Sequence, residues 1–93
     1  MGQQDRRDFV LAVLEDSGVA MKPVDVFRNC KLRGGRFERR TTKSYLSELV
    51  ESGDVLKIDS GALNDGRIVE IPTEDRGHFI AASVARQYAP DDD

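Results

Sequence analysis

The segment that decides the fold spans residues 34–53 and reads GGRFERRTTKSYLSELVESG. Side chains suited to a core recur in it at the spacing of one helix face, in the order Thr42, Tyr45, Leu46, Leu49 and Val50. This spacing predicts an amphipathic helix over about residues 39–52, which Gly53 ends. The opposite face carries Arg40, Lys43, Ser44 and Ser47. The first turns of this helix are basic, whereas Glu48 and Glu51 occupy the last turns.

Two shorter helical patterns precede this segment. Residues 5–16 place four apolar side chains on one face, namely Phe9, Val10, Val13 and Leu14. Pro23 suits the first turn of a second helix, because its missing N–H is not needed there, and this helix ends near residues 29–31. Its core face consists of Val26, Phe27 and Cys30. Gly34-Gly35 marks a turn, and Phe37 is expected to fill the core ahead of the third helix.

Downstream of residue 53, the sequence predicts a hairpin and a last helix. Branched residues indicate strands at 55–59 and 67–71, and turn residues between them make a long hairpin tip. Pro72 ends the second strand, and Thr73 is expected to cap a final helix that reaches Tyr88. An apolar stripe along that helix consists of Ile80, Ala81, Val84, Ala85 and Tyr88. We assign this stripe to a homodimer contact, with packing on the first helix of the same chain as the alternative.

The order of these elements is typical of a winged helix-turn-helix. The predicted class is mostly α with a small β-hairpin, in the order α-α-α-β-β-α, and 93 residues suffice for one such domain. We expect a core over about residues 5–72, the last helix at about 74–88 and an acidic tail at 89–93. Two helices joined by a tight turn place the second of them where it can enter the major groove of DNA.

Charge is distributed unevenly along the chain. The whole chain carries 14 basic and 17 acidic residues, for a net charge of -3. Residues 28–43 hold seven basic residues and only one acid, Glu38, so this segment is +6 and the remainder is -9. A basic segment in an acidic body is typical of a surface that binds a polyanion. On the charge distribution alone, a solvated basic face without a partner is an equally good explanation. The coincidence of this segment with the predicted helix-turn-helix favours DNA.

Candidate DNA contacts follow from the predicted docking of the third helix. Arg40, Lys43 and Ser44 are placed to read base edges, and Arg39 to contact a base or a phosphate. An arginine that donates two hydrogen bonds to guanine supplies about 1–3 kcal/mol of discrimination. Phosphate contacts, which position without specifying sequence, are expected from Arg28, Lys31, Arg33 and Arg36. Lys57 and Arg67 flank the predicted wing. Arg67 is a further candidate for a DNA contact, although a solvated charge without a partner is the simpler interpretation of a single cation on a hairpin.

Composition favours no other class of function. No stretch approaches the ~20 apolar residues of a membrane span, and the first residues lack signal-peptide features, so we expect a cytoplasmic protein without a membrane partner. Cys30 is the only cysteine and His78 the only histidine, which leaves no cysteine zinc cluster and no paired catalytic groups. Cys30 is expected to be a buried apolar residue, with a redox switch as the alternative. We expect no enzymatic activity, cofactor, metal or small-molecule ligand.

One stretch resembles a known family. The pattern of Asn29, Arg33-Gly34, Phe37, Thr41 or Thr42, Leu46, Leu49 and Gly53 is similar to that of the haloarchaeal phage phi-H repressor-like family. This resemblance covers about residues 21–55 and implies a winged helix-turn-helix that acts as an archaeal transcriptional repressor. The chain departs from the family pattern at Cys30, in a longer wing and in one additional residue within 73–77.

The sequence therefore predicts a sequence-specific regulator that binds double-stranded DNA as a homodimer. The first alternative is a winged helix that binds another protein through its acidic body and lacks specific DNA binding. The second is an enzyme or a small-molecule sensor. The absence of paired catalytic residues argues against the enzyme, and the sensor would need a closed pocket lined by the final helix.

Overall fold

A computed structural model describes residues 3–88 of the chain and the side chains of residues 5–87. Its elements are α1 (Gln3–Ser17), α2 (Pro23–Leu32), α3 (Arg39–Ser52), β1 (Val55–Ile58), α4 (Ser60–Asn64), β2 (His78–Ala81) and α5 (Ala82–Tyr88). The predicted class is confirmed to the extent that residues 3–88 are mostly helical with a small two-stranded antiparallel sheet. None of the helices within 3–88 combines the length and apolar character needed to cross a membrane.

Helix α3 has the bounds that the sequence predicts. Thr42, Tyr45, Leu46 and Leu49 are buried and Val50 is partly buried against the core, which confirms the predicted core face. Gly53 ends the helix in the left-handed conformation, with φ of +86°, and its N–H donates to the carbonyls of Leu49 and Val50. Glycine has no Cβ to oppose this conformation, so it is the residue expected at such a helix end.

A single hydrophobic cluster joins α1, α2 and α3 to the sheet. Its fully buried members include Val10, Val13 and Leu14 of α1, Val26 and Cys30 of α2, and Leu46 of α3. Phe37 packs edge-to-face between two other rings, with centroid distances of 6.0 Å to Phe9 and 5.6 Å to Tyr45. The prediction that Phe37 fills the core ahead of α3 is therefore confirmed.

The sheet also includes a contact from the segment between α1 and α2. Strand β1 pairs with β2 in an antiparallel register that runs from Val55 opposite Ala81 to Ile58 opposite His78. Met21 forms a bridge with Phe79, in which each backbone N–H donates to the other residue's carbonyl at 2.8 and 2.7 Å. These bonds fix the start of α2 to β2.

The predicted second strand at 67–71 was wrong, because the main partner of β1 is β2. The 67–71 segment returns to the sheet only through an isolated bridge between Ile58 and Glu70. Beside this bridge, the Ile71 N–H donates to the Lys57 carbonyl at 2.9 Å. Val69 and Glu70 are exposed, whereas three of the four residues of β2 are buried. Burial of apolar area therefore favours β2 as the partner.

The final helix is much shorter than the sequence predicts. Helix α5 begins at Ala82, and Thr73 lies in a turn in which the Asp75 N–H donates to the Pro72 carbonyl at 3.1 Å. Gly77 follows this turn, and a Cβ there would collide with the carbonyl oxygen of Ile58 and lie 2.8 Å from Cδ1 of Ile71. The close approach of Gly77 to β1 directs the chain into a strand.

Four members of the predicted dimer stripe lie in the core of their own chain. Ile80 and Ala81 belong to β2, so their placement on the last helix was wrong, whereas Val84 and Ala85 belong to α5. All four are buried, and the side chain of Tyr88 lies outside the described side chains. The burial agrees with the alternative role of this stripe, which is packing within one chain.

Helix α4 occupies the region that the sequence predicts as a hairpin tip. Asp59 caps its start by accepting a hydrogen bond from the Ala62 N–H at 2.8 Å, and Ala62 is buried. Asp59 is a favoured capping residue, so a helix start was detectable there. The turn residues at 60–61 and 64–66 on either side of this short helix instead led to the prediction of a hairpin tip.

We expect Leu46→Ala to lower the free energy of unfolding by about 2–5 kcal/mol, because a fully buried leucine leaves a cavity when truncated. Leu32→Ala is the matched control, since Leu32 is 85% exposed and its loss should change the free energy by less than about 0.5 kcal/mol. Urea denaturation of both variants measures the difference. Equal midpoints for the two variants would contradict the packing described for α3.

Candidate nucleic-acid interface

Helix α3 presents a polar face directly opposite its buried one. At 3.6 residues per turn, the centre of that outer face consists of Arg40, Ser44, Ser47 and Glu51, all of them exposed. Arg39 and Lys43 lie toward the 72–77 loop, and Glu48 lies on the other side, toward α1. The core packing of α3 therefore directs its first two turns outward as one surface, which we call the α3 face: Arg39, Arg40, Lys43 and Ser44.

The cations of the α3 face have no acidic partner among residues 5–87. Within that range, no ion pair of 4.0 Å or less involves Arg36, Arg39, Arg40 or Lys43. The one half-buried acid of α3, Glu48, is paired with Arg7 of α1 at 2.9 Å. The positive charge of α3 is thus concentrated in its first turns.

The start of α3 lacks the features that normally stabilise a helix N-terminus. Its N-cap residue, Glu38, makes no side-chain cap hydrogen bond, and its first turn holds no acid. By contrast, Asp5 and Asp25 occupy the first turns of α1 and α2. Cations near a helix N-terminus oppose the helix dipole, typically by about 0.3–1 kcal/mol each. Local conflicts of this kind are expected at functional sites, and an anion bound here would relieve this one.

A groove of about 630 Å³ runs along one side of the α3 face. Arg39, Lys43 and Ser47 of α3 form one wall. The other walls come from the start of α2, from β1 and from the 72–77 loop, and they add Lys22, Lys57 and Arg76. We call this feature the α3 groove.

Lys57 is the most enclosed cation of the α3 groove. Its ammonium donates to the Thr73 carbonyl at 2.9 Å and lies 4.8 Å from the centroid of the Phe79 ring. Burial lowers the pKa of Lys57, the Asp75 carboxylate acts against this effect, Lys43 adds to it and Glu74 opposes it. The α3 groove thus contains two carboxylates close to its cations.

The structure brings together only some of the predicted contact residues. Arg39, Arg40, Lys43 and Ser44 share the α3 face, and Arg36 is exposed in the preceding turn. Three others make polar or ring contacts elsewhere: Arg28 lies 3.6 Å from Asp25, Arg33 lies 2.7 Å from Asp16, and Lys31 lies over the Phe27 ring. Arg67 lies 3.8 Å from Asp65 and does not line the α3 groove.

Sequence reasoning missed Lys22 and Arg76 and undervalued Lys57. Lys22 stands directly before Pro23, so its place at the start of a helix was readable. Arg76 was assigned to a helix that does not exist at that position, and Lys57 carried no signal beyond a single charge on a strand. Their convergence depends on strand pairing between distant segments.

Cys30 is buried and His78 is partly buried. Cys30 is buried, and burial raises the pKa of its thiol to about 11, although nearby Arg33 acts in the opposite direction. His78 Nδ1 lies 2.8 Å from the Ser60 hydroxyl. Burial lowers the pKa of His78, Lys22 acts in the same direction, and Asp25 opposes both. Across the described residues, no group of three or more His, Cys, Asp or Glu side chains has the arrangement of a metal site.

Comparisons with models of protein families, with curated proteins and with solved structures yield no match. The resemblance to the phi-H repressor-like family therefore stays a prediction.

We expect Cys30 to react slowly with a thiol reagent in the native protein at pH 7–9. The thiolate is the reactive form, and a thiol pKa of about 11 keeps it scarce in the folded state below that pH, whereas unfolding restores a value near 9.0. Alkylation followed by mass spectrometry, with and without denaturant, measures the contrast. Fast native labelling at pH 7 would instead favour the redox alternative.

We expect Arg40→Glu to raise the free energy of unfolding by about 0.3–1 kcal/mol at low salt, because it replaces an unfavourable charge at the start of α3 by a favourable one. Arg86→Glu is the matched control with opposite sign, since Arg86 lies in the last turn of α5, where a cation is favourable. Denaturation in low and high salt measures both effects. A loss of stability in Arg40→Glu would show that Arg40 has a structural role.

Proposed function

We propose that the protein is a sequence-specific transcriptional regulator of the repressor type, which binds double-stranded DNA with α3 in the major groove. The observation that carries this proposal is the α3 face itself. Its cations have no acidic partner among the described residues, while the other side of the same helix is fixed in the core. A rigid helix with an exposed cationic first half has the shape and charge for this groove.

The geometry of α3 supports different roles for its residues. Arg40 and Ser44 lie at the centre of the exposed face, where they would meet base edges. Arg39 and Lys43 lie on its flank, where one sugar–phosphate strand would run. Glu51 is exposed in the last turn, where the helix would leave the DNA.

The chain topology supports a winged helix-turn-helix as the framework. Helices α2 and α3 are joined by residues 33–38, and strand β1 follows α3 directly. The connection between β1 and β2, residues 59–77, would form the wing, and its final part borders the α3 groove. The phi-H repressor-like resemblance of residues 21–55 adds the expectation of repression, by occupation of an operator.

We include homodimer formation in this proposal, but we no longer assign the dimer contact to the apolar stripe predicted from the sequence. Ile80, Ala81, Val84 and Ala85 face the core of their own chain. A two-fold dimer would place two α3 helices on half-sites about 34–36 Å apart. The symmetry of the preferred DNA site reports on this arrangement.

A protein–protein interaction module is the alternative that one observation favours. An apolar groove of about 380 Å³ is lined by Val19, Ala20, Leu63, Gly66, Ile68 and Ile80. Val19 is 49% exposed, so this surface is accessible to an apolar partner segment. It shares no lining residue with the α3 groove.

Selection of bound duplexes from a random DNA library tests the proposal against this alternative. We expect enrichment of one sequence, with a two-fold repeat if the protein binds as a dimer, and affinity that falls as salt rises. Absence of both an enriched sequence and salt-dependent binding to DNA would favour the protein–protein module.

We expect Arg40→Ala to weaken binding to the selected duplex by about 1–3 kcal/mol and to relax the preference at one base position. Lys43→Ala should weaken binding to all duplexes alike and reduce the slope of log affinity against log salt by about 0.9. Both residues are exposed, so melting temperatures should stay close to that of the parent.

Arg86→Ala is the matched control for these variants, because Arg86 is exposed on α5 and lines neither groove. Fluorescence anisotropy at several salt concentrations measures all three variants. Parent-like DNA affinity in both α3 variants would remove α3 from the interface.

A further inference from the structure

The α3 groove collects cations from four separate stretches of the chain. Lys22 precedes α2, Arg39 and Lys43 belong to α3, Lys57 belongs to β1, and Arg76 lies in the 72–77 loop. The hydroxyl-bearing side chains of Ser47, Ser60 and Thr73 line the same groove. Its volume of about 630 Å³ lies within the roughly 300–1,000 Å³ typical of small-molecule sites.

This convergence of like charges favours the binding of an anion. Lys57 is half-buried, and its ammonium group donates one hydrogen bond to the Thr73 carbonyl. An ammonium group has three N–H donors, so two remain for another acceptor. Lys43 is close enough to disfavour the charged form of Lys57. Two cations held together in a partly enclosed groove repel each other, and an anion bound between them attracts both and so offsets that repulsion.

Glu74 and Asp75 of the 72–77 loop supply part of the compensation. Both line the α3 groove, and both act on Lys57 as negative charges. Neither lies within 4.0 Å of a cationic group among the described residues, so the compensation is incomplete. The groove thus holds five cationic side chains and two carboxylates, and an incoming anion would compete with the carboxylates.

We propose that the α3 groove is a phosphate-binding site, in which Lys22, Lys57 and Arg76 hold a phosphate group together with Arg39 and Lys43. A phosphate offers several acceptor oxygens in different directions, which matches donors that approach from several walls. The phosphate has two possible sources. It belongs either to the DNA strand beside α3, which rests on the proposed function, or to a free phosphorylated molecule.

The test uses two probes, inorganic pyrophosphate and a duplex from the random-library selection. The central variant is the double substitution Lys22→Ala/Arg76→Ala, because both side chains are exposed and their loss leaves the core intact. Arg86→Ala is the control, since Arg86 is exposed on α5 and lies outside the α3 groove. Calorimetry measures pyrophosphate binding, and anisotropy measures duplex binding.

We expect the double variant to lose about tenfold or more in affinity for at least one probe, as the removal of charge-assisted hydrogen bonds implies. A loss for the duplex alone, uniform across sequences and with a lower salt slope, assigns the site to the DNA strand. A loss for pyrophosphate alone assigns it to a free phosphorylated molecule, and a loss for both supports the shared chemistry. Parent-like affinity for both probes would overturn the proposal.

A second variant acts in the opposite direction. Glu74→Gln/Asp75→Asn removes the competing carboxylates while keeping their shape, so we expect it to bind the responding probe several-fold more tightly. A misfolded protein cannot produce such a gain. Weaker binding of both probes by this variant would contradict the competition described for the groove.

The outcomes separate this site from the proposed function. Pyrophosphate binding that depends on Lys22 and Arg76, with no enriched duplex, would refute DNA recognition and leave the phosphate site standing. Duplex binding that needs Arg40 but not Lys22 or Arg76, without pyrophosphate binding, would refute the phosphate site and leave DNA recognition standing.

Discussion

The burial of one side of α3 is the constraint on which the other features depend. Thr42 and Leu46 have no solvent exposure. The buried Thr42 hydroxyl is hydrogen-bonded, since it donates to the Glu38 carbonyl at 3.1 Å. A rotation of α3 by one residue, about 100°, would move Lys43 toward the core, where a charge without a partner is costly. Packing and charge therefore select the same orientation, and the α3 face is a direct consequence of the core.

Two ion pairs join α1 to the rest of the chain. Arg7 pairs with Glu48, and Arg33 pairs with Asp16. Their side chains are between 34% and 70% exposed, so each pair contributes at most about 1 kcal/mol to stability. The larger effect of the Arg7–Glu48 pair is electrostatic, because Glu48 would otherwise be an unpaired acid on the helix that carries the α3 face. Three of the seven cations of the 28–43 segment, Arg39, Arg40 and Lys43, thus lie together in the first turns of α3.

Local sequence signals predicted the first half of the fold, and non-local pairing explains where they failed. Helix α3 and its end at Gly53 follow from spacing and backbone preference within 14 residues. Ile80, Ala81, Val84 and Ala85 fit a helical stripe equally well, yet two of them lie in a strand. The pairing of β2 with both β1 and Met21 decides that difference, and no local pattern contains it.

The same pairing decides which residues reach the interface. Because β2, and not the 67–71 segment, runs beside β1, the residues directly before β2 must pass close to the end of β1. Gly77 permits this passage against the Ile58 carbonyl, and the adjoining residues Glu74, Asp75 and Arg76 then line the α3 groove. A helix over 74–88 would have carried these three charges along its own axis. The groove is thus a product of the sheet, and its wall opposite α3 depends on a glycine far from α3 in sequence.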